Sequence, residues 1–170
     1  MKKLVALFLA MAVMVCCFAS CGNETTADSL SVCLASEPDT LDPALNSAVD
    51  GATMLVQMFA GLAKWATDAE GNLVIVADCA TELPEGVKND DGTVTYTYTL
   101  KDGLKWSNGD ALTAADFVNS WKRAASVELG ADYGYMFEVV KGYGTEEGID
   151  VTSDDAARTI TVTLPVNVAY

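Results

Sequence analysis

Eight residues constrain this chain more than any others: Thr93, Thr95, Thr97 and Thr99 alternate with Val94, Tyr96, Tyr98 and Leu100. A period of two puts each set on its own face of an extended segment, and β-branched and aromatic residues favour that state. The alternation predicts a strand with Val94, Tyr96, Tyr98 and Leu100 toward a core and threonines on the other side. Asn89-Asp90-Asp91-Gly92 before it and Lys101-Asp102-Gly103 after it carry turn residues. The tyrosine and threonine stripes are read as structural.

Other segments add helices. Met54, Leu55, Met58, Phe59 and Leu62 fall on one face at helical spacing, which predicts a packed amphipathic helix over 51–62. Thr113 with Asp116 three residues on reads as a capping box, with Asp in place of the usual Glu. Phe117, Trp121, Ala124 and Ala125 continue that helix, which ends by Gly130. Trp106 and Trp121 are expected to bury most of their area. Leu30 to Ala35 and Leu73 to Ala77 read as short strands, and Ile149–Val151 with Ile160–Leu164 reads as a hairpin around Ser153-Asp154-Asp155. The expected class is mixed α/β, without internal repeats.

Composition narrows the function. Among 170 residues, 24 Asp+Glu stand against 10 Lys+Arg, a formal charge of −14 that repels phosphate backbones, so no nucleic-acid partner is expected. The sequence has no histidine, the commonest general base and metal ligand, and no metal site or cofactor is expected. A carboxylate-dependent glycosidase could invoke Asp90-Asp91 or Glu146-Glu147, but solvated charge in turns is the ordinary explanation of both pairs. Gly142-Tyr143-Gly144 is a loop, lacking the strand and helix that a dinucleotide fingerprint needs.

Met1-Lys2-Lys3 followed by the apolar run Leu4–Val15 reads as a secretory signal over residues 1–20, too short for the roughly 20 residues of a spanning helix. Phe18-Ala19-Ser20-Cys21-Gly22 resembles a bacterial lipobox, with Phe18 where Leu is more usual. The resemblance implies that Cys21 carries two acyl chains and holds the protein on a membrane surface. Residues 21–29 then form a polar tether. Cys33 and Cys79 remain in a disulfide-permissive setting, where they either pair or stay as free thiols, Cys33 within an apolar strand-like segment.

Three segments together resemble the family 5 extracellular solute-binding proteins, the oligopeptide- and dipeptide-binding components of ABC importers. These are Glu37-Pro38-Asp39-Thr40-Leu41-Asp42-Pro43 with the helix ending Phe59-Ala60-Gly61-Leu62, the long run from Thr97 to Trp121, and Leu164-Pro165 through Ala169-Tyr170. In the last, Ala169 stands where proline is more usual. The resemblance implies a periplasmic-binding-protein-like fold of two lobes closing on an extended peptide. Residues 30–62 would be the N-terminal part of domain I, and 63–170 most of domain II. Family members are much longer, so the chain is expected to be a truncated protein or gene fragment, the N-terminal part only. Its domain I strand and helix faces would lack the residues they normally pack on, and poor solubility or a marginal fold is expected for residues 22–170 alone.

By the same resemblance, the loop Ser47-Ala48-Val49 falls where oligopeptide binders contact the ligand main chain. Tyr133, twelve residues beyond Trp121, falls on a tyrosine lining the peptide cleft. From the residues alone, Val49 is equally a core residue at the helix start, and Tyr133 equally a loop aromatic of the Tyr133-Gly134-Tyr135 cluster. The family's aspartate for the peptide α-amino group lies in the other lobe, and no acidic residue here takes that role. The implied partners are a peptide, a permease with its ATPase, and the membrane through the lipid; the implied location is outside the cell membrane or in the periplasm. No bond-breaking chemistry is implied. The same scaffold also carries nickel chelates, haem, sugars or opines, and a surface lipoprotein without a transporter is the remaining alternative.

Overall fold

The alternating segment is the backbone of the larger of two sheets. In the computed structural model, which describes residues 31–165, six strands and two α-helices are formed. Strands β1 (Ala63–Thr67) and β2 (Leu73–Ala77) pair antiparallel as one hairpin, with Ala63 opposite Ala77 and Trp65 opposite Ile75. Its turn is closed by the Asp68 carboxylate, which accepts the Glu70 and Asn72 N–H groups at 3.0 and 2.8 Å. These bonds, that from the Asn72 backbone above all, hold the Asp68 carboxyl below its ordinary range.

The second sheet runs β3 (Val87–Lys88), β4 (Val94–Thr99), β6 (Thr159–Leu164), β5 (Val151–Asp154), all antiparallel. Its register explains both stripes. Val94, Tyr96 and Tyr98 stand opposite Leu164, Val162 and Ile160, whereas Thr95, Thr97 and Thr99 stand opposite Thr163, Thr161 and Thr159. Opposite residues share a face, so one side of the sheet is apolar and the other a threonine array. Helix α1 spans Val49–Met58 and α2 spans Ala114–Ala125. Helix α2 lies on the apolar side against β5 and β6, and Ala114 and Val118 are buried there with Ile160, Val162 and Val151.

The start of α2 is held from three directions. The Asp116 carboxylate accepts the Thr113 N–H at 2.8 Å, completing the expected capping box, and also the Trp106 indole N–H at 3.3 Å. Asp155, from the turn between β5 and β6, accepts the Ala115 N–H at 2.9 Å, which satisfies a donor that the helix leaves orphaned. A negative carboxylate is favoured at that end by the helix dipole as well. Lys122 and Arg123 sit in the last turn, where the dipole favours cations.

Several expectations are corrected. The helix predicted over 51–62 runs over 49–58, because the chain becomes extended at Phe59 (φ −123°, ψ 148°) and carries Leu62 into the core instead. The Leu62 carbonyl accepts the Asp78 N–H at 2.9 Å and the Ala80 N–H at 3.2 Å, so this residue belongs with β2 and not with the helix. Helix α1 is not packed as expected: Gly51 is its one buried residue, and Val56, Met58 and the following Phe59 are exposed. A Cβ at Gly51 would collide with the Asn46 side chain, which explains glycine at that point.

Residues 31–35 form no strand, and Leu30 lies outside the described residues. Val32 is 68% exposed and Cys33 is exposed, so β propensity there is not backed by a buried face. Cys79 is a buried free thiol, so the pairing with Cys33 left open by the sequence is not formed. Burial raises the Cys79 pKa. Trp106 is 41% exposed where burial was expected, with its indole N–H donating to the Asp116 carboxylate, whereas Trp121 is half-buried with its ring 6.1 Å from Phe137. The terminal hairpin is present, with Ser153 and Asp154 inside β5 and the turn just after them. Strands β1 and β3 and a 3-10 helix at Gly134–Phe137 were not anticipated.

Candidate functional site

The segment leading into α1 is a tight turn built on Asp42. Its N–H donates to Thr40 Oγ1 at 3.1 Å, and its carboxylate Oδ1 accepts the Ala44 N–H at 2.9 Å. Its main-chain carbonyl accepts the Leu45 and Asn46 N–H groups at 3.1 and 3.0 Å. The Asn46 side-chain amide then donates to the Ala48 carbonyl at 3.0 Å, and that carbonyl also accepts the Ala52 N–H as the first acceptor of α1. Ser47 and Val49 flank Ala48 and are both exposed, Val49 to 85%. Among the described residues, Val49 is therefore not part of the core.

Asp42 is also one half of a long-range ion pair. Arg123 Nη1 and Nη2 donate to Asp42 Oδ1 and Oδ2 at 2.9 and 2.7 Å, a two-pronged contact between residues 81 positions apart. The Arg123 hydrogen bonds, followed by the Ala44 N–H, hold the Asp42 carboxyl below its ordinary range, and Asp42 raises the Arg123 pKa in return. No local pattern pairs these residues in the sequence. What could be read was only a turn carboxylate and a basic residue at a helix end.

Tyr133 stands just before the 3-10 helix and is 48% exposed. Its carbonyl accepts the Met136 N–H, and its ring lies 6.0 Å from that of Tyr135, itself 54% exposed. Among the described residues, no hydrogen bond or ring contact joins Tyr133 to Ser47 or Val49. Beside the 3-10 helix, Tyr96, Tyr98, Trp121, Phe137 and Val162 line an open apolar groove over the sheet. Burial raises the Tyr98 pKa, so its hydroxyl stays protonated near neutral pH. Cys21 lies outside the described residues.

No group of three His, Cys, Asp or Glu that could hold a metal occurs among the described residues, and no helix among them is long and apolar enough to cross a membrane. Asp90 and Asp91 sit in the turn before β4, where Asp91 accepts the Thr93 N–H at 3.0 Å.

Comparison with known proteins decides the family. The family model described as "Bacterial extracellular solute-binding proteins, family 5 Middle" matches residues 74–169. This chain belongs to family 5 of the bacterial extracellular solute-binding proteins. A relative from Lactococcus lactis described as a dipeptide-binding protein is 47% identical over 75 residues, 44% of this chain and 12% of that protein. The oligopeptide-binding protein OppA of Bacillus subtilis is 36% identical over 115 residues, 67% of this chain and 19% of its own length. The family 5 chain thus spans less than a fifth of either relative.

Solved structures agree on the fold. Listeria monocytogenes OppA bound to peptide matches with a TM-score of 0.61 and 33% identity, over 76% of this chain and 25% of that one. The pheromone receptor PrgZ matches with a TM-score of 0.66 and 26% identity, over 80% of this chain and 27% of that one. The mixed α/β, periplasmic-binding-protein-like class read from the sequence is therefore borne out, with the family.

Proposed function

We propose that this chain is the N-terminal part of the substrate-binding lipoprotein of an ABC importer, which captures peptides outside the cell membrane and delivers them to a permease with its ATPase. In this reading residues 1–20 are a signal, Cys21 carries the lipid anchor, and 21–29 are the tether. Residues 30–62 open domain I, and 63–170 form most of domain II. Ser47, Val49 and Tyr133 meet the ligand. The protein holds its cargo and breaks no bond in it.

The observation that carries the reading is the likeness to a relative solved with a peptide in place, at 33% identity over 76% of this chain. The physical logic is consistent with it. A peptide main chain offers the same donors and acceptors whatever its sequence, so a cleft that pairs with the main chain accepts many peptides. Closure is favoured only because the ligand touches both lobes in the closed state. The exposure of Ser47, Val49 and Tyr133 supports their availability to a ligand.

The test is equilibrium dialysis of the purified whole protein, this chain together with the second lobe that the reading implies, against a mixed di- to hexapeptide pool, with bound species identified by mass spectrometry. Retention of peptides of varied sequence is expected, and retention of none overturns the reading. The anchor is tested separately by incorporation of labelled palmitate in the bacterial host. Label on the natural protein that disappears in Cys21→Ala is expected, and label that persists would place the lipid elsewhere.

A further inference from the structure

The turn before α1 and the helix that leads toward Tyr133 are far apart in sequence, and the Asp42–Arg123 contact fastens one to the other. We propose that Arg123 is a positioning residue for peptide binding, holding the Ser47–Val49 backbone in place through Asp42. The proposal rests on the peptide-binding reading given above.

The connection can be followed bond by bond. The two guanidinium nitrogens take one carboxylate oxygen each, which fixes distance and orientation together, as a single ammonium contact does not. Asp42 uses the rest of its acceptors on the turn: the Ala44 N–H on its carboxylate, and the Leu45 and Asn46 N–H groups on its carbonyl. Asn46 passes the constraint on through its amide to the Ala48 carbonyl, between Ser47 and Val49. The missing side chain at Gly51 is what lets Asn46 sit there.

The other end of the connection is firmly seated. Helix α2 has its capping box, its Val118 side chain in the core, and Trp121 against Phe137 of the 3-10 helix that follows Tyr133. A rigid helix therefore holds a turn whose own surroundings are exposed. A partly exposed ion pair adds little to global stability. Its loss is thus expected to show in the local order of the turn and in ligand affinity, and much less in the unfolding midpoint.

The experiment compares the whole protein, this chain together with the second lobe that the reading implies, with its Arg123→Met and Arg123→Lys variants, by amide hydrogen exchange, urea unfolding, and calorimetric titration with trialanine. In Arg123→Met, exchange at Ala44, Leu45, Asn46 and Ala52 is expected to rise about tenfold or more while the β4–β6 amides keep their protection. Trialanine affinity is expected to fall about tenfold, with Arg123→Lys recovering part of it. Unchanged exchange at the turn overturns the clamp. Faster exchange with unchanged affinity overturns its role in binding. Should Arg123→Met lose sheet protection too, Arg123→Lys decides: weaker binding with an intact sheet supports the proposal, and native affinity overturns it. Failure of the unsubstituted whole protein to bind trialanine or any other peptide counts against the peptide reading, and the exchange data still judge the clamp.

Discussion

Replacing Ile160 by alanine is the most demanding test of the fold. Ile160 is fully buried on β6, between Tyr98 of β4 and Ser153 of β5, on the face covered by α2. The change removes three carbons, each contributing about 0.8 kcal/mol by burial, or roughly 2.4 kcal/mol together. The cavity left behind raises the expected loss to about 3–4 kcal/mol, because strands paired on both sides of β6 cannot collapse into it. Ile160→Val removes one carbon and is expected to cost about 1 kcal/mol. Trp65 is the contrast: a larger side chain, but 67% exposed on the β1–β2 hairpin. Trp65→Ala is therefore expected to stay within about 0.5 kcal/mol. Urea titration followed by far-ultraviolet circular dichroism reads all three. With a slope of roughly 1.5 kcal/mol/M, Ile160→Val lowers the midpoint by about 0.7 M and Ile160→Ala by about 2 M or more. A Trp65→Ala loss equal to or larger than that of Ile160→Ala would refute the assignment of the core to the β4–β6–β5 face beneath α2.

Other expectations follow from single groups. The Asp42 carboxyl has a folded pKa below its unfolded value of about 3.9, so its contribution to stability is present above that value and is lost as pH falls through the lower folded pKa. Carboxyl-carbon NMR should find its midpoint depressed in the natural chain and moved up in Arg123→Ala. Asp116→Ala removes the acceptor shared by Thr113 and Trp106 and is expected to cost about 1 kcal/mol in urea unfolding. Its tryptophan emission spectrum should change as well, since the indole loses its partner. The buried Cys79 thiol, its pKa raised by burial, should react with a thiol reagent at the unprotected rate only after urea unfolding.

Legibility in the sequence followed the range of the interactions. The alternation at 93–100 determined β4 and its two faces, since a period of two survives in any sheet that buries one side. Thr113 and Asp116 determined the start of α2, since both partners lie within one turn. Strand β1 was missed because Ala63–Thr67 has little alternation of its own and is made a strand by pairing with β2. The helical stripe at 54–62 was overextended for a related reason. Leu62 satisfies the helical period equally well, and only the hydrogen bonds from Asp78 and Ala80 to its carbonyl place it elsewhere.

Of the candidate site, the sequence by itself offered the family resemblance and, through it, Ser47, Val49 and Tyr133 as expected ligand contacts. Tertiary structure decided that Val49 faces solvent and that Arg123 closes on Asp42 across 81 residues. The physical reason is that a turn or a cap is satisfied by groups a few residues apart, so its pattern is written locally. A charge pair between separate elements depends on where the sheet sets α2 against the chain before α1, and no run of neighbouring residues encodes that distance.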